Sequence, residues 1–233
     1  MNILKLSLTM TLLGALFTGC STLPQNASQQ YSQDIQQQLH TQQPIIAYFH
    51  KNAEETESCG CEHNLSSDYS FTATQDGYYR KLLGRSQDGL FLVQDFYQAS
   101  NKPQTSPFWI KKPEGLNSFD STYIEGSATG YFENGQVAFS TTLKDGMHIG
   151  LNKEYYPSGQ LATERNFNDQ GELQLSKLWY ENGQIAGEIM QNANGEFDLQ
   201  DAKFWDEQGT LIDNPEQKEN IINKIEEKIS IAL

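Results

Sequence analysis

The feature that most constrains this chain is a short pattern that recurs at a fixed interval. Three segments share an aromatic pair, a two-residue spacer, Gly-Gln and one aliphatic residue: YFENGQV (131–137), YYPSGQL (155–161) and WYENGQI (179–185). Their glycines lie 24 residues apart, and a weaker fourth copy, WDEQGTL (205–211), follows after 26 residues. Self-similarity at such a period predicts an array of equivalent structural units.

Each unit reads as two β-strands and two turns. Pro157-Ser158-Gly159 has turn chemistry, because proline presets φ and glycine accepts a positive φ. About a dozen residues further on, each unit has a second turn signal, namely KDG (144–146), NDQG (168–171) and NANG (192–195). An isolated hairpin is marginally stable, so the units are expected to pack side by side in one antiparallel sheet.

The repeated residues divide into a scaffold and an exposed set. We predict that the first aromatic and the glycine of each unit are scaffold, with the aromatics stacked in a buried ladder: Tyr131, Gly135, Tyr155, Gly159, Trp179, Gly183, Trp205 and Gly209. Because strand side chains alternate, the second aromatic should face the opposite, open side. The candidate partner-binding residues are therefore Glu133, Tyr156, Tyr180 and Glu181.

The pattern in GLNKEYYPSGQL (150–161) resembles the bacterial variant of the MORN repeat, which occurs in YwqK-type antitoxin proteins. The resemblance covers about residues 122–213. It implies a twisted, mostly single-layer antiparallel sheet used for binding, and a role in neutralising a toxin. The fourth copy has Asp206 in place of the second aromatic, as expected of a terminal unit.

The regions on either side of the repeats complete a mainly β fold. Residues 45–118 are predicted to form a β-rich cap, with a strand at 45–49, a hairpin at 78–97 around the Asp-Gly turn, and an irregular loop at 98–118. Residues 119–213 hold the repeats. Residues 214–233 are predicted to form an amphipathic helix, capped by Asn214, that covers the end of the sheet with its isoleucines. A helix that binds a partner is the alternative.

The first 44 residues have the character of a secreted, lipid-anchored protein. Lys5 precedes an apolar run, and Phe17-Thr18-Gly19-Cys20 resembles a lipobox, in which the cysteine becomes acylated. We therefore predict a signal peptide at 1–19, lipidation at Cys20 and a glutamine-rich tether at 20–44. Ser21 resembles the signal for sorting to the outer membrane. An ordinary secretory peptide is the alternative.

Charge and motifs limit the chemistry of the chain. With a formal net charge of -14 and a pI near 4.6, the protein should repel nucleic acid and favour a basic protein surface. It carries no nucleophile motif, zinc-protease motif or phosphate-binding loop, and its four histidines are scattered. We expect no enzymatic activity, no cofactor and no complete metal site.

Two cysteines leave several alternatives open. In an oxidising compartment Cys59 and Cys61 are expected either to form a tight disulfide or to remain free thiols. A metal held with Glu62 and His63 is a further alternative, although consecutive ligands cannot all point inward.

These features together predict an envelope lipoprotein that presents its repeat sheet as a protein-binding module, with the partner a toxin or another envelope protein. The alternative is a structural or scaffolding lipoprotein of the outer membrane without a toxin partner.

Overall fold

The computed structural model of the chain describes Leu39 and residues 42–50, 69–74, 76–191 and 197–230. These belong to one compact unit, Gln37–Leu233. The predictions that concern the segment 1–19, Cys20, Cys59 and Cys61 lie outside the described residues. Within the described residues, no helix is long and apolar enough to cross a membrane.

In the part of the chain that the structure describes, fourteen strands form one open, twisted antiparallel sheet, which confirms the predicted fold class. The strands are β1 (Ile45–Phe49), β2 (Tyr69–Ser70), β3 (Tyr78–Arg85), β4 (Phe91–Tyr97), β5 (Phe108–Ile110), β6 (Ile124–Tyr131), β7 (Val137–Lys144), β8 (Met147–His148), β9 (Gly150–Tyr155), β10 (Leu161–Phe167), β11 (Leu173–Trp179), β12 (Ile185–Met190), β13 (Lys203–Trp205) and β14 (Leu211–Ile212). Their order across the sheet is β2-β1-β3-β4-β5-β6-β7-β9-β10-β11-β12-β13-β14, and β8 pairs with β7.

The repeated hairpins close with one turn geometry. In the second unit the Tyr156 N–H donates to the Gln160 carbonyl at 2.9 Å, and the Gly159 N–H donates back to the Tyr156 carbonyl at 2.8 Å. Gly159 has a φ of +86°, where a β-carbon is strained. A β-carbon there would also lie 2.9 Å from Gln136 Oε1 of the preceding unit. The Gly-Gln pair therefore has two structural roles. The glycine allows the turn, and the glutamine side chain packs against the glycine of the next unit.

Among the described residues, the same pair of backbone hydrogen bonds closes five further turns. They lie at 86–90, 132–136, 168–172, 180–184 and 206–210. The predicted turns at 132–136 and 168–171 are thus confirmed, whereas NANG (192–195) lies outside the described residues. A turn of this kind, with glycine in the left-handed region, matches the twist of the flanking strands.

The N-terminal strands continue the sheet without a break. The predicted hairpin is confirmed, because β3 and β4 pair from Tyr78↔Tyr97 to Arg85↔Phe91. The prediction that 98–118 is irregular holds for most of the segment but is wrong for two parts of it. This segment contains β5 and a 3-10 helix at Pro113–Asn117, and β5 pairs with both β4 and β6. The apolar Phe108-Trp109-Ile110 forms a strand because it fills the gap between two existing edges.

The C-terminal helix, α1 (Pro215–Ser230), packs on one face of the sheet, here called the inner face. Asn214 caps it, with Oδ1 accepting from the Gln217 N–H at 3.1 Å. Ile225 and Ile229 are buried against residues of the second and third units: Tyr156, Ala162, Leu178, Tyr180 and Ala186. The predicted amphipathic helix therefore docks on the chain's own sheet.

The predicted burial of the two aromatics in each unit is reversed. Phe132, Tyr156 and Tyr180 are buried, with exposures of 3%, 1% and 9%. They point to the inner face, where α1 covers the last two of them. The prediction that Tyr156 and Tyr180 are exposed is wrong, because alternation along a strand does not say which face receives the helix.

The first aromatics lie on the opposite, outer face and are only half-buried. The expected aromatic ladder is also wrong, since no ring contact joins Tyr131, Tyr155, Trp179 and Trp205, all of which the structure describes. They stand on every second strand, which places them about 10 Å apart. Aliphatic side chains of the strands between them separate the rings.

Candidate functional site

A continuous stripe of aromatic and aliphatic side chains runs across the outer face of the repeats. Each repeat hairpin contributes one directly opposed pair, and these pairs are Tyr131↔Val137, Tyr155↔Leu161, Trp179↔Ile185 and Trp205↔Leu211. Eight adjacent strands carry the stripe, so it is about 34 Å long at the usual strand spacing. We call these eight residues the outer stripe.

The outer stripe is apolar, accessible and bordered by charge. Its residues are half-buried except Leu211, which is 55% exposed. On one side lie cross-strand ion pairs, Lys153–Glu164 at 3.4 Å and Lys177–Glu188 at 3.2 Å. An apolar centre with a polar rim, rich in tyrosine and tryptophan, is the usual anatomy of a protein-binding surface.

Two of the four predicted partner-binding residues stand on the other border of the outer stripe. Glu133 and Glu181 are exposed at the tips of the turns that follow Tyr131 and Trp179. The Glu133 carbonyl accepts from Lys102 Nζ at 2.8 Å, and the Glu181 carboxylate lies 3.4 Å from Lys228 Nζ of α1. The Glu133 contact uses the backbone carbonyl and not the carboxylate. The Glu181 carboxylate forms an exposed ion pair with the helix on the inner face, and such a pair contributes little to stability.

The other two predicted residues, Tyr156 and Tyr180, connect neighbouring units instead. The Tyr156 hydroxyl donates to the Trp179 carbonyl at 2.7 Å, and the Tyr180 hydroxyl donates to the Trp205 carbonyl at 2.8 Å. Burial, with the nearby charge of Glu181, raises the pKa of Tyr156 to about 12. Both hydroxyls therefore stay protonated and act as structural donors.

A groove of about 290 Å³ lies on the inner face, where the sheet is left uncovered. The segment around the 3-10 helix Pro113–Asn117 packs on this face at one end, and α1 packs on it at the other. Between them, strands β6, β7, β9 and β10 present side chains to the groove: Ile124, Ala128, Phe139, Thr141, Leu143, Asn152, Glu154, Thr163, Arg165 and Phe167.

Two polar networks form the floor of the groove. In the first, Thr141 Oγ1 hydrogen-bonds to His148 Nδ1 at 2.7 Å and to Asn152 Oδ1. In the second, Glu154 Oε2 accepts from Thr163 Oγ1 and from Arg165 Nη1, each at 2.6 Å. The other nitrogen of that guanidinium, Nη2, donates to Glu226 of α1 at 3.1 Å. The second network thus ties the central strands to the helix.

A buried ion pair forms the end wall of the groove. Arg80 and Asp95 are each 1% exposed, and they bond through Nε–Oδ1 at 2.7 Å and Nη2–Oδ2 at 2.8 Å. Arg80 Nη1 donates to the carbonyls of Gly115, Leu116 and Ser118. The rings of Phe49, Phe108 and Phe119 surround the guanidinium at 5.0–5.3 Å. Each of the three guanidinium nitrogens of Arg80 has a partner, so its role is to hold the covering segment rather than to bind a ligand.

Sequence reasoning did not find the outer stripe as a surface or the groove as a site. The signal for the ion pair was present, since the hairpin register places Arg80 opposite Asp95. The groove has no such signal, because its edges depend on where two distant segments stop covering the sheet. Across the residues that the structure describes, no group of three or more His, Cys, Asp or Glu side chains is placed to hold a metal ion.

Comparison with known proteins agrees with the geometry of the repeats. Residues 124–145, 149–169 and 175–191 match the MORN repeat variant family. The three matched segments coincide with the hairpins β6–β7, β9–β10 and β11–β12. No curated protein matches the chain. The central part of this chain is therefore built from MORN-type repeats, which supports a repeat-based binding module.

Proposed function

We propose that this chain is a lipid-anchored binding module of the bacterial cell envelope that captures a protein partner on its outer stripe. The observation that carries the proposal is the stripe itself, in which four tyrosine and tryptophan side chains are left half-exposed along about 34 Å of sheet. Tyrosine and tryptophan supply large contact areas at a small cost in side-chain entropy and dominate the energetics of many interfaces.

The partner that best fits this surface is a basic protein. The formal net charge of the chain is -14, and Glu133, Glu181 and Glu207 stand exposed beside the stripe. Complementary charge accelerates association and selects against acidic partners. The association rate should therefore fall as salt rises, while the dissociation rate changes little.

The proposed biological role is that of an antitoxin or immunity protein in the periplasm. The junction Phe17-Thr18-Gly19-Cys20 supports lipid anchoring through Cys20, and Ser21 supports outer-membrane sorting. The MORN-type repeats support a binding role without catalysis, because their repeated residues serve turns and packing. Captured toxin would be held at the membrane, away from its target.

The test uses a strain in which the gene is deleted. Deletion should sensitise cells to a toxin encoded by a neighbouring gene, and the wild-type chain should restore protection. Trp179→Ala should fail to protect and should weaken binding of the purified toxin by about thirtyfold, as expected for a loss of about 2 kcal/mol at an interface hot spot.

The matched control is Leu151→Ala, which removes an apolar side chain on the same face but outside the stripe and is 50% exposed in the native chain. It should bind and protect like the wild type. Cys20→Ala should bind the toxin in solution but protect poorly. A Trp179→Ala chain that folds and protects fully would contradict the proposal. A deletion strain that resists nearby toxins but has a damaged envelope would support the structural alternative.

A further inference from the structure

The groove on the inner face is a separate concavity from the outer stripe, and it has the construction of a small ligand site. Phe119 and Ser121 line it on the side of the covering segment, and Arg165 lines it on the side of α1. Its volume of about 290 Å³ lies just below the range for small-molecule pockets, about 300–1,000 Å³. The site therefore fits a ligand of the size of one aromatic ring with a polar head.

Aromatic rings form much of the apolar lining. Phe139 lies directly over the backbone of Gly130, with ring atoms within 2.6 Å of where a β-carbon would stand, so the absence of a side chain at 130 makes room for the ring. Phe167 stacks with His148, with ring centroids 5.6 Å apart. The face of a phenylalanine ring attracts a cation through its quadrupole.

The polar groups of the groove offer acceptors, and its charged side chains are paired. Arg80 and Asp95 neutralise each other. Lys153 directs its amine to Glu164 on the outer face, although its backbone borders the groove. Arg165 divides its hydrogen bonds between Glu154 and Glu226 of α1, so it engages only one oxygen of Glu154.

Glu154 provides the free acceptor. Its Oε2 receives Thr163 and Arg165, whereas no donor among the described residues bonds to its Oε1. The side chain is 36% exposed and lines the groove. An N–H of a cationic head can donate to this oxygen, and a charge-assisted bond of this type is about twice as strong as a neutral one.

We propose that the groove binds a small organic cation with an amidinium or guanidinium head and a flat apolar body, with the head on Glu154 Oε1 and the body against Phe139 and Phe167. Such a head occurs both in free metabolites and in the arginine side chains of proteins, so the shared chemistry is an N–H cation on a compact body. This site is independent of the proposed capture of a protein on the outer stripe.

The experiment measures binding of benzamidine to the full chain by isothermal titration calorimetry, with neutral benzamide as the isosteric control. Benzamidine should bind and benzamide should bind at least about tenfold more weakly, because a hydrogen bond to a charged group contributes about 1.5–3 kcal/mol. Glu154→Gln should weaken benzamidine binding by about tenfold. Glu164→Gln, the same change on the outer face of the next strand, should leave it unchanged.

A second measurement keeps the proposal testable if Glu154→Gln does not fold. In the wild-type chain, benzamidine should shift the NMR signals of His148 and Phe167 and leave the indole signals of Trp179 and Trp205 in place. N-acetylarginine methylamide, which mimics an arginine side chain in a protein, distinguishes the two sources of the cationic head. If it binds more tightly than benzamidine, the ligand is an arginine side chain of a protein. If it binds more weakly, the ligand is a free small molecule. Equal affinity for benzamidine and benzamide, or no binding of benzamidine at millimolar concentration, would overturn the proposal.

Discussion

The two ends of the sheet cover the same inner face in different ways. At the N-terminal end, a single buried arginine holds the covering segment. Arg80 bonds to Asp95 and to three carbonyls of that segment. At the C-terminal end, α1 lies on equivalent residues of successive units, namely Tyr156 and Tyr180 with Ala162 and Ala186. The first end concentrates its stability in a buried ion pair, and the second distributes it over repeated apolar contacts.

The N-terminal end also contains a repeat-like link that lacks the sequence signature of the repeats. At the end of β4 the Tyr97 hydroxyl donates to the Tyr131 carbonyl at 2.8 Å, as Tyr156 and Tyr180 do to the residues of the next unit. The turn after Tyr97 has Asn101 in the left-handed region, with a φ of +56°, in place of glycine. The same link between neighbouring units therefore occurs where the sequence pattern is absent.

The largest effect is expected at the unique end. Arg80→Met removes the cation but keeps an apolar side chain of similar length, and leaves the 1%-exposed carboxylate of Asp95 without its partner. Unfolding in urea should show a loss of about 4 kcal/mol, within the range for breaking a buried ion pair.

The control for this change is Lys81→Met, the next residue of β3, which is half-buried and has its amine over the Phe96 ring at 4.9 Å. Its cost should be below about 1 kcal/mol, as for other exposed cation contacts. Comparable losses from the two variants would show that the buried ion pair does not hold the N-terminal end.

A smaller effect is expected when one repeated contact is removed. Tyr156→Ala should cost about 3 kcal/mol, because it leaves a cavity against α1 and removes the hydroxyl donor to the Trp179 carbonyl. Tyr155→Ala, on the outer face of the same hairpin, should cost about 1 kcal/mol, the worth of a cross-strand pair. Chemical denaturation of both variants measures this difference. A larger loss of stability for Tyr155→Ala would contradict this assignment and would indicate that the outer aromatics pack together as a ladder.

The smallest expected effect is a gain at the one full repeat that lacks the hydroxyl. Phe132 occupies the same place as Tyr156 and Tyr180, and is 3% exposed. The hydroxyl introduced by Phe132→Tyr should donate to the Tyr155 carbonyl. It should raise the free energy of unfolding by about 1 kcal/mol, the net contribution of a typical hydrogen bond. Tyr156→Phe should lower it by a similar amount. If Phe132→Tyr destabilises the chain, the first unit differs from the others in its packing.

The sequence by itself determined the features that depend on local geometry. The 24-residue period predicted the hairpin array, the glycines predicted turns that need a positive φ, and Asn214 with the isoleucine stripe predicted a capped, docked helix. These features are readable because backbone sterics, hydrogen-bond capping and amphipathic periodicity act over a few residues.

Only the tertiary structure decided which of the two adjacent aromatics in each unit is buried. Tyr155 and Tyr156 are nearly identical in their sequence setting, and strand alternation requires only that they point to opposite faces. In the second and third units α1 covers the second aromatic, whereas Phe132 of the first unit is buried on the same face without contact to the helix core. The other aromatic of each unit is left to form the outer stripe. The groove arises in the same way, because its extent depends on where α1 and the segment held by Arg80 end. Contacts between residues so distant along the chain leave no local pattern from which they can be predicted.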